Sequence, residues 1–171
     1  MTTTVTKGDV LTLQDLVEQA CGETGYLDPA AADWITPIID ANYNLGIDEL
    51  ARRVRGKITG TGDLFQAALT AKGRRRGEVQ VAQVIVHRAI FSNSRIEKLA
   101  DAAQFPTYVL RFTAVLDSCT CAAAKAMEGQ IFRQAEAPII PLQGCDAETC
   151  RCNYVFGEEA WLRRICGEPG G

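Results

Sequence analysis

Five of the seven cysteines fall in one short stretch: Cys119-Thr-Cys121, then 23 residues, then Cys145-x4-Cys150-Arg-Cys152. Two short segments that each supply a pair of thiolates can surround a tetrahedral Zn²⁺, at about 2.3 Å per Zn–S bond, once the chain between them folds back. Each thiol must lose its proton to bind, so such a site ties folding to pH and to chelators. Cys119, Cys121, Cys145, Cys150 and Cys152 are therefore five candidate ligands for a four-ligand structural zinc. Two other readings of the same residues stand beside this one. One or two disulfides would join them, for example Cys121 to Cys150 or Cys152, or the thiols would stay reduced and pack as small hydrophobes. Four thiolates also suit an iron–sulfur cluster, but nothing in the spacing singles one out. Cys21 and Cys166 stand apart from the cluster.

The compartment bears on the choice. No apolar run in the 171 residues reaches the roughly 18 needed to span a bilayer. The first residues lack a basic segment followed by an apolar one, so no signal peptide is expected. A cytoplasmic protein is the expectation, and in a reducing cytosol clustered thiols are more often metal ligands than disulfides. An odd number of cysteines also fits poorly with a fully paired disulfide framework.

Other side chains that could do chemistry are thin. His87 is the only histidine, which leaves little for histidine-based catalysis; a helix histidine bonded to a neighbour is the simpler reading. Asp117 and Glu128 flank the cysteine segment, either as an acid–base or metal-binding pair or as groups that cap turns and orient ligands. Lys72, Arg74, Arg75 and Arg76 form a basic run, and Arg52, Arg53, Arg55 and Lys57 another. Arg74, Arg75 and Arg76 are candidates for DNA phosphate contact. A solvated loop and helix face explains them as well, because the net charge is −3 and no aromatics interleave. The glycine-rich stretch 56–62 lacks phosphate-loop spacing and serves as a link.

The elements that must position these groups are mostly helices. Residues 1–8 look like a polar tail. Leu13, Leu16, Val17 and Ala20 give 11–21 one apolar side. Asp28-Pro29 starts a second helix expected to reach Leu45, with Pro37 as a kink. Asp48 and Asp63 are expected to cap two more, and 72–77 to be a basic loop between glycines. The longest helix spans about 78–103, with Val81, Val84, Ile85, Ile96, Leu99 and Ala103 on its buried stripe. After Pro106, residues 107–115 alternate as a strand, with Tyr108, Leu110 and Phe112 on one face. A short helix over 119–127, short strands at 130–132 and 153–156, and a final helix over 158–165 complete the chain.

The stretch from about 79 to 155 resembles the phage head-morphogenesis family typified by the F protein of phage Mu, a family of minor capsid proteins. The family pattern runs from a helix through a short strand to Asp-x-x-Thr-Cys-x-x-Cys-x-x-Leu-Asp-Gly-x-x-Phe, then a proline-containing link and His-Pro-x-Cys-Arg-Cys. Here the helix reads Val86-His-Arg-Ala-Ile-Phe-Ser-Asn-Ser-Arg95. The knuckle reads Asp117-Ser-Cys-Thr-Cys-Ala-Ala-Ala-Lys-Ala-Met-Glu-Gly-Gln-Ile-Phe132, and the close is Cys150-Arg-Cys152. Cys121 matches the first family cysteine, but Ala124 stands in place of the second, and the His-Pro is missing. Cys119 and Cys145 are additions nearby, as in either a rearranged four-ligand site or a lost one. Residues 142–154 are also similar to the ends of some short bacterial proteins.

The expectation is therefore an α+β, mainly helical protein: a helical part (9–104) packed on a small β-containing cysteine knuckle with a C-terminal helix (105–171), as one compact unit. The resemblance implies a non-enzymatic structural or assembly role. Its partners would be a capsid or portal-like protein or a second copy, with weak DNA contact and virion association; no membrane is involved. A stand-alone bacterial or prophage-derived zinc-knuckle interaction or regulatory module is the alternative, and a thiol-based redox protein a third.

Overall fold

The computed structural model describes residues 11–118, 120–142, 145 and 147–165. The fold is α+β and mainly helical: eight α-helices and one three-stranded sheet among the described residues. The chain divides into two compact units, an N-terminal one, Leu11–Asn93, and a C-terminal one that holds Ser94–Gly171. None of the helices among the described residues is long and apolar enough to cross a membrane.

In the N-terminal unit, α1 (Leu13–Thr24) starts at a reciprocal capping box. The Thr12 hydroxyl accepts from the Asp15 N–H at 3.2 Å, and the Asp15 carboxylate accepts from the Thr12 N–H at 2.7 Å. Gly25 ends it at φ +62°, a left-handed conformation that costs glycine little. Asp28 caps a 3₁₀ turn (Pro29–Ala31) through the Ala30 N–H, and α2 (Ala32–Asp40) follows. It stops well short of Leu45, three residues after Pro37, where the chain turns instead. α3 (Ile47–Val54) begins after Gly46, so Asp48 lies inside the first turn and is not the cap; its carboxylate accepts from Gln83 at 2.7 Å. Likewise α4 (Gly62–Ala68) takes Thr61 as its cap position and carries Asp63 in its first turn. The core gathers Val17, Ile35, Ile39, Leu50, Val54 and Phe65 from these helices with Val81 and Ile85 of α6 (Glu78–Ala102).

The basic run is not a loop. It forms α5 (Ala71–Arg76), capped by Thr70, whose hydroxyl accepts from the Gly73 N–H at 3.0 Å. Gly73 is buried, and a Cβ there would lie 2.1 Å from the Tyr26 carbonyl oxygen. The neighbouring backbone is itself fixed by the Thr70 N–H to Tyr26 C=O bond at 3.1 Å and by the Leu27–Leu69 bridge. Helix propensity alone would favour alanine by about 1 kcal/mol. We expect the opposite sign: Gly73→Ala should destabilise the N-terminal unit by about 1–3 kcal/mol through overpacking. Equal or greater stability of that variant in thermal denaturation would refute the close approach.

α6 begins in the N-terminal unit and ends in the C-terminal one, the division falling between Asn93 and Ser94. Near its end Ala102, not Ala103, is the buried residue. In the C-terminal unit β1 (Tyr108–Thr113) is the central strand. It pairs antiparallel with β2 (Ile131–Phe132) on one side and β3 (Asn153–Glu158) on the other. Leu110 and Phe112 point inward and Tyr154 faces Phe112 across the ladder, their rings 5.8 Å apart and nearly perpendicular. The alternation of side chains along a strand produces this single buried face. α7 (Ala122–Met127) follows β1, and Gly129 at φ +80° turns the chain into β2. α8 (Glu159–Ile165) buries Leu162, and the Trp161 ring lies close to Gly157.

Candidate metal centre

Four of the five clustered cysteines lie among the described residues, all in the C-terminal unit; Cys119 lies outside the described residues, as does Cys166. Cys121 is not within a helix but at the cap of α7. Its backbone is extended, and its sulfur accepts from the Ala124 N–H at 3.4 Å. Cys150 and Cys152 flank Arg151 just before β3, and both are buried while Arg151 between them is exposed. The Cys145 N–H donates to the Leu142 carbonyl at 2.9 Å. Cys121, Cys150 and Cys152 are buried and Cys145 is half-buried.

The four cysteines gather at one place. All four line one small cavity of about 10 Å³, together with Val115, Thr120 and Arg151. A void of that size holds about one water-sized body. No disulfide joins the described cysteines. Among the described residues no group of three or more His, Cys, Asp or Glu side chains is arranged to hold a metal ion. This is compatible with the shared cavity, because sulfurs that border one cavity need not converge on a single point.

Protonation within the cluster is uneven. The Cys145 thiol donates to Cys150 and so holds the Cys150 sulfur below the usual thiol range, against the effect of burial and with help from the Arg95 guanidinium. The same bond, and then burial, push Cys145 up. Burial raises Cys152, with the Cys121 and Cys145 sulfurs adding to it. Burial likewise raises the Tyr154 hydroxyl, which donates to the Pro138 carbonyl at 2.5 Å. Of these three thiols only Cys150 is shifted toward the thiolate, while Cys145 and Cys152 are shifted away from it. Thiolates bind metal ions and attack electrophiles.

Charged groups tie the two cysteine segments down. Arg151 donates to both carboxylate oxygens of Asp117, at 2.7 and 2.5 Å. Both side chains are about two-fifths exposed, so the pair contributes modestly to stability, but its geometry joins the segment 117–121 to 150–152. Thr120 folds the first segment on itself, accepting from the Asp117 N–H at 3.1 Å and donating to the Val115 carbonyl. Glu128 accepts from the Ala114 N–H at the end of β1. Asp117 and Glu128 therefore hold backbone and partner side chains in place. From α6, Arg95 donates to the Cys150 carbonyl at 2.6 Å, and Lys98 to the Asn153 side chain at 3.3 Å. Sequence reasoning did not single out Arg95. The available signal was a basic residue on the inward stripe of α6, between Ser92 and Leu99.

The remaining candidates lie in the N-terminal unit. Arg74, Arg75 and Arg76 sit on the exposed side of α5, where Arg74 donates to the Gln66 carbonyl at 3.4 Å. Lys72 is committed to the fold: it donates to the Thr24 carbonyl at 2.7 Å and lies 4.9 Å over the Tyr26 ring. Arg52 and Arg53 both pair with Glu49. His87 stacks on Phe91 at 4.2 Å. Cys21 is fully buried in the helical core, and burial pushes its thiol up to about 12, which makes it inert. Compared with protein families, with curated proteins and with solved structures, the chain matches none.

Proposed function

We propose that Cys121, Cys145, Cys150 and Cys152 form a structural zinc knuckle in a cytoplasmic, non-enzymatic assembly protein. The observation that carries this reading is the meeting of four thiols, from three separate places in the chain, around one atom-sized cavity. Small side-chain rotations and the loss of the thiol protons would close them on an ion. A structural role follows because four protein ligands leave no open coordination position for a substrate.

The assembly role rests on the resemblance of residues 79–155 to head-morphogenesis proteins. The partner would be a capsid or portal-like protein, or a second copy of the chain. Arg74, Arg75 and Arg76 would carry any DNA contact. A free-standing bacterial or prophage interaction module would use the same knuckle. The placing of Cys145 and Cys150 on one small cavity favours one further reading, a redox-active thiol pair.

Metal content and thiol count separate these, measured on full-length protein purified without reductants or chelators. About one zinc per chain is expected, with the four cluster thiols protected until the metal is removed. No metal with a full set of reactive thiols would overturn the knuckle. No metal with missing thiols, or catalytic turnover of peroxide or disulfide substrates, would replace it with the redox reading.

A further inference from the structure

We infer that one face of α6 is the electrostatic support of the metal centre: Arg95 anchors Cys150 from inside the unit, and Lys98, one turn on, holds the segment beyond Cys152. The inference rests on the four-thiolate reading above. Four thiolates around a divalent ion leave an excess of negative charge. In a buried place that excess is costly unless positive groups stand close by. Arg95 is 3% exposed, and its guanidinium is 2.6 Å from the Cys150 carbonyl oxygen. It lies near enough to act on the sulfurs of both Cys150 and Cys152. Lys98 reaches Asn153, the residue that follows Cys152, and Asn153 in turn accepts from the Tyr154 N–H at 2.9 Å as β3 begins.

The spacing has a helical cause. Residues three apart lie on the same side of a helix, so Arg95 and Lys98 meet the consecutive segment 150–153 from one face. Arg151, within that segment, is turned away to Asp117. The two cations from α6 and the arginine of the segment therefore do different things. Arg151 joins the two ligand-bearing segments. Arg95 places charge behind the ligands and fixes the backbone from which Cys150 projects, while Lys98 holds the residue after Cys152. Groups that orient and compensate metal ligands in this way typically change affinity 10–100-fold when removed. Arg95 is thus a positioning residue and not a ligand.

The test is the affinity of full-length protein for Zn²⁺ and Co²⁺, by competition with a chromophoric chelator. Arg95→Met is expected to weaken binding by about 10–100-fold. The sulfur-to-cobalt charge-transfer band should keep its position, because the ligands stay the same. Arg95→Lys should recover part of the loss, and Lys98→Met should show a smaller loss in the same direction. Arg88→Met removes a buried arginine of the N-terminal unit, which pairs with Glu23, and should leave affinity unchanged. If Arg95→Met does not fold, Lys98→Met and Arg95→Lys decide the matter. Wild-type affinity in the folded charge-removing variants, or an equal loss in Arg88→Met, overturns the inference while leaving the knuckle intact. Absence of binding by the unsubstituted protein overturns the knuckle itself.

Discussion

If the proposed knuckle holds zinc, stripping it with a strong chelator should unfold the C-terminal unit and leave the N-terminal unit folded. The two units have separate cores. That of the N-terminal unit is built from residues between Val17 and Ala89 and contains only Cys21 among the cysteines. The core of the C-terminal unit includes Cys121, Cys150 and Cys152 among its buried members, with Cys145 packed against them. Its other buried members among the described residues are Ala102, Leu110, Phe112, Ala124, Ile140, Leu142 and Tyr154. A unit so small buries little apolar surface for the chain it orders. Structural zinc contributes about 10–16 kcal/mol in peptides of comparable design, far more than any side-chain contact here. Hydrogen exchange resolves the two units directly. Protection should vanish from Tyr108–Thr113 and Asn153–Glu158 after chelation and persist in the buried turns of Leu13–Thr24 and Ile47–Val54. Acid should act in the same sense, since protons compete with the ion for the thiolates. Strand protection that survives complete metal removal would mean that packing alone holds the unit.

Phe112→Ala is expected to cost about 3–5 kcal/mol, the usual penalty for emptying a buried aromatic site. Phe112 is fully buried on the central strand, packed edge-on against Tyr154 and sharing a cluster with the cysteines. Neighbouring backbone cannot collapse into the space. The Phe112 N–H and C=O are engaged with the Gln130 carbonyl and the Gly129 N–H, at 2.9 and 3.1 Å. Val155, on β3, provides the contrast. It is 37% exposed, so Val155→Ala should cost about 1 kcal/mol or less. Chemical denaturation followed by a probe in the C-terminal unit measures both. A Phe112→Ala loss no larger than that of Val155→Ala would contradict the inward face assigned to β1.

Periodicity made much of this fold legible. The long helix, the central strand and the closing strand and helix all carry apolar side chains at the intervals their geometry requires, and all four are found where those intervals place them. Elements without an apolar stripe were not legible in the same way. Lys72-Gly-Arg-Arg-Arg has no buried face except Gly73 itself, and it becomes a helix because Thr70 caps it and the Tyr26 backbone packs on its glycine. The ends of helices were also set by contacts a pattern does not contain: Asp48 bonds to Gln83 instead of capping, and α2 stops where the chain turns after Asp40.

The cysteine-rich stretch, with its choice among metal, disulfide and thiol chemistry, is written in the residue types and their spacing. Which cysteines meet is not, because that depends on the backbone bond from Cys145 to Leu142, on the sheet order and on the Asp117–Arg151 pair. The charge behind the cluster comes from a helix 55 residues away in sequence, where Arg95 reaches the Cys150 carbonyl. Local sequence determines periodic faces and the supply of reactive groups; only the tertiary fold brings groups so distant along the chain into one small volume, since their meeting depends on how every element between them packs.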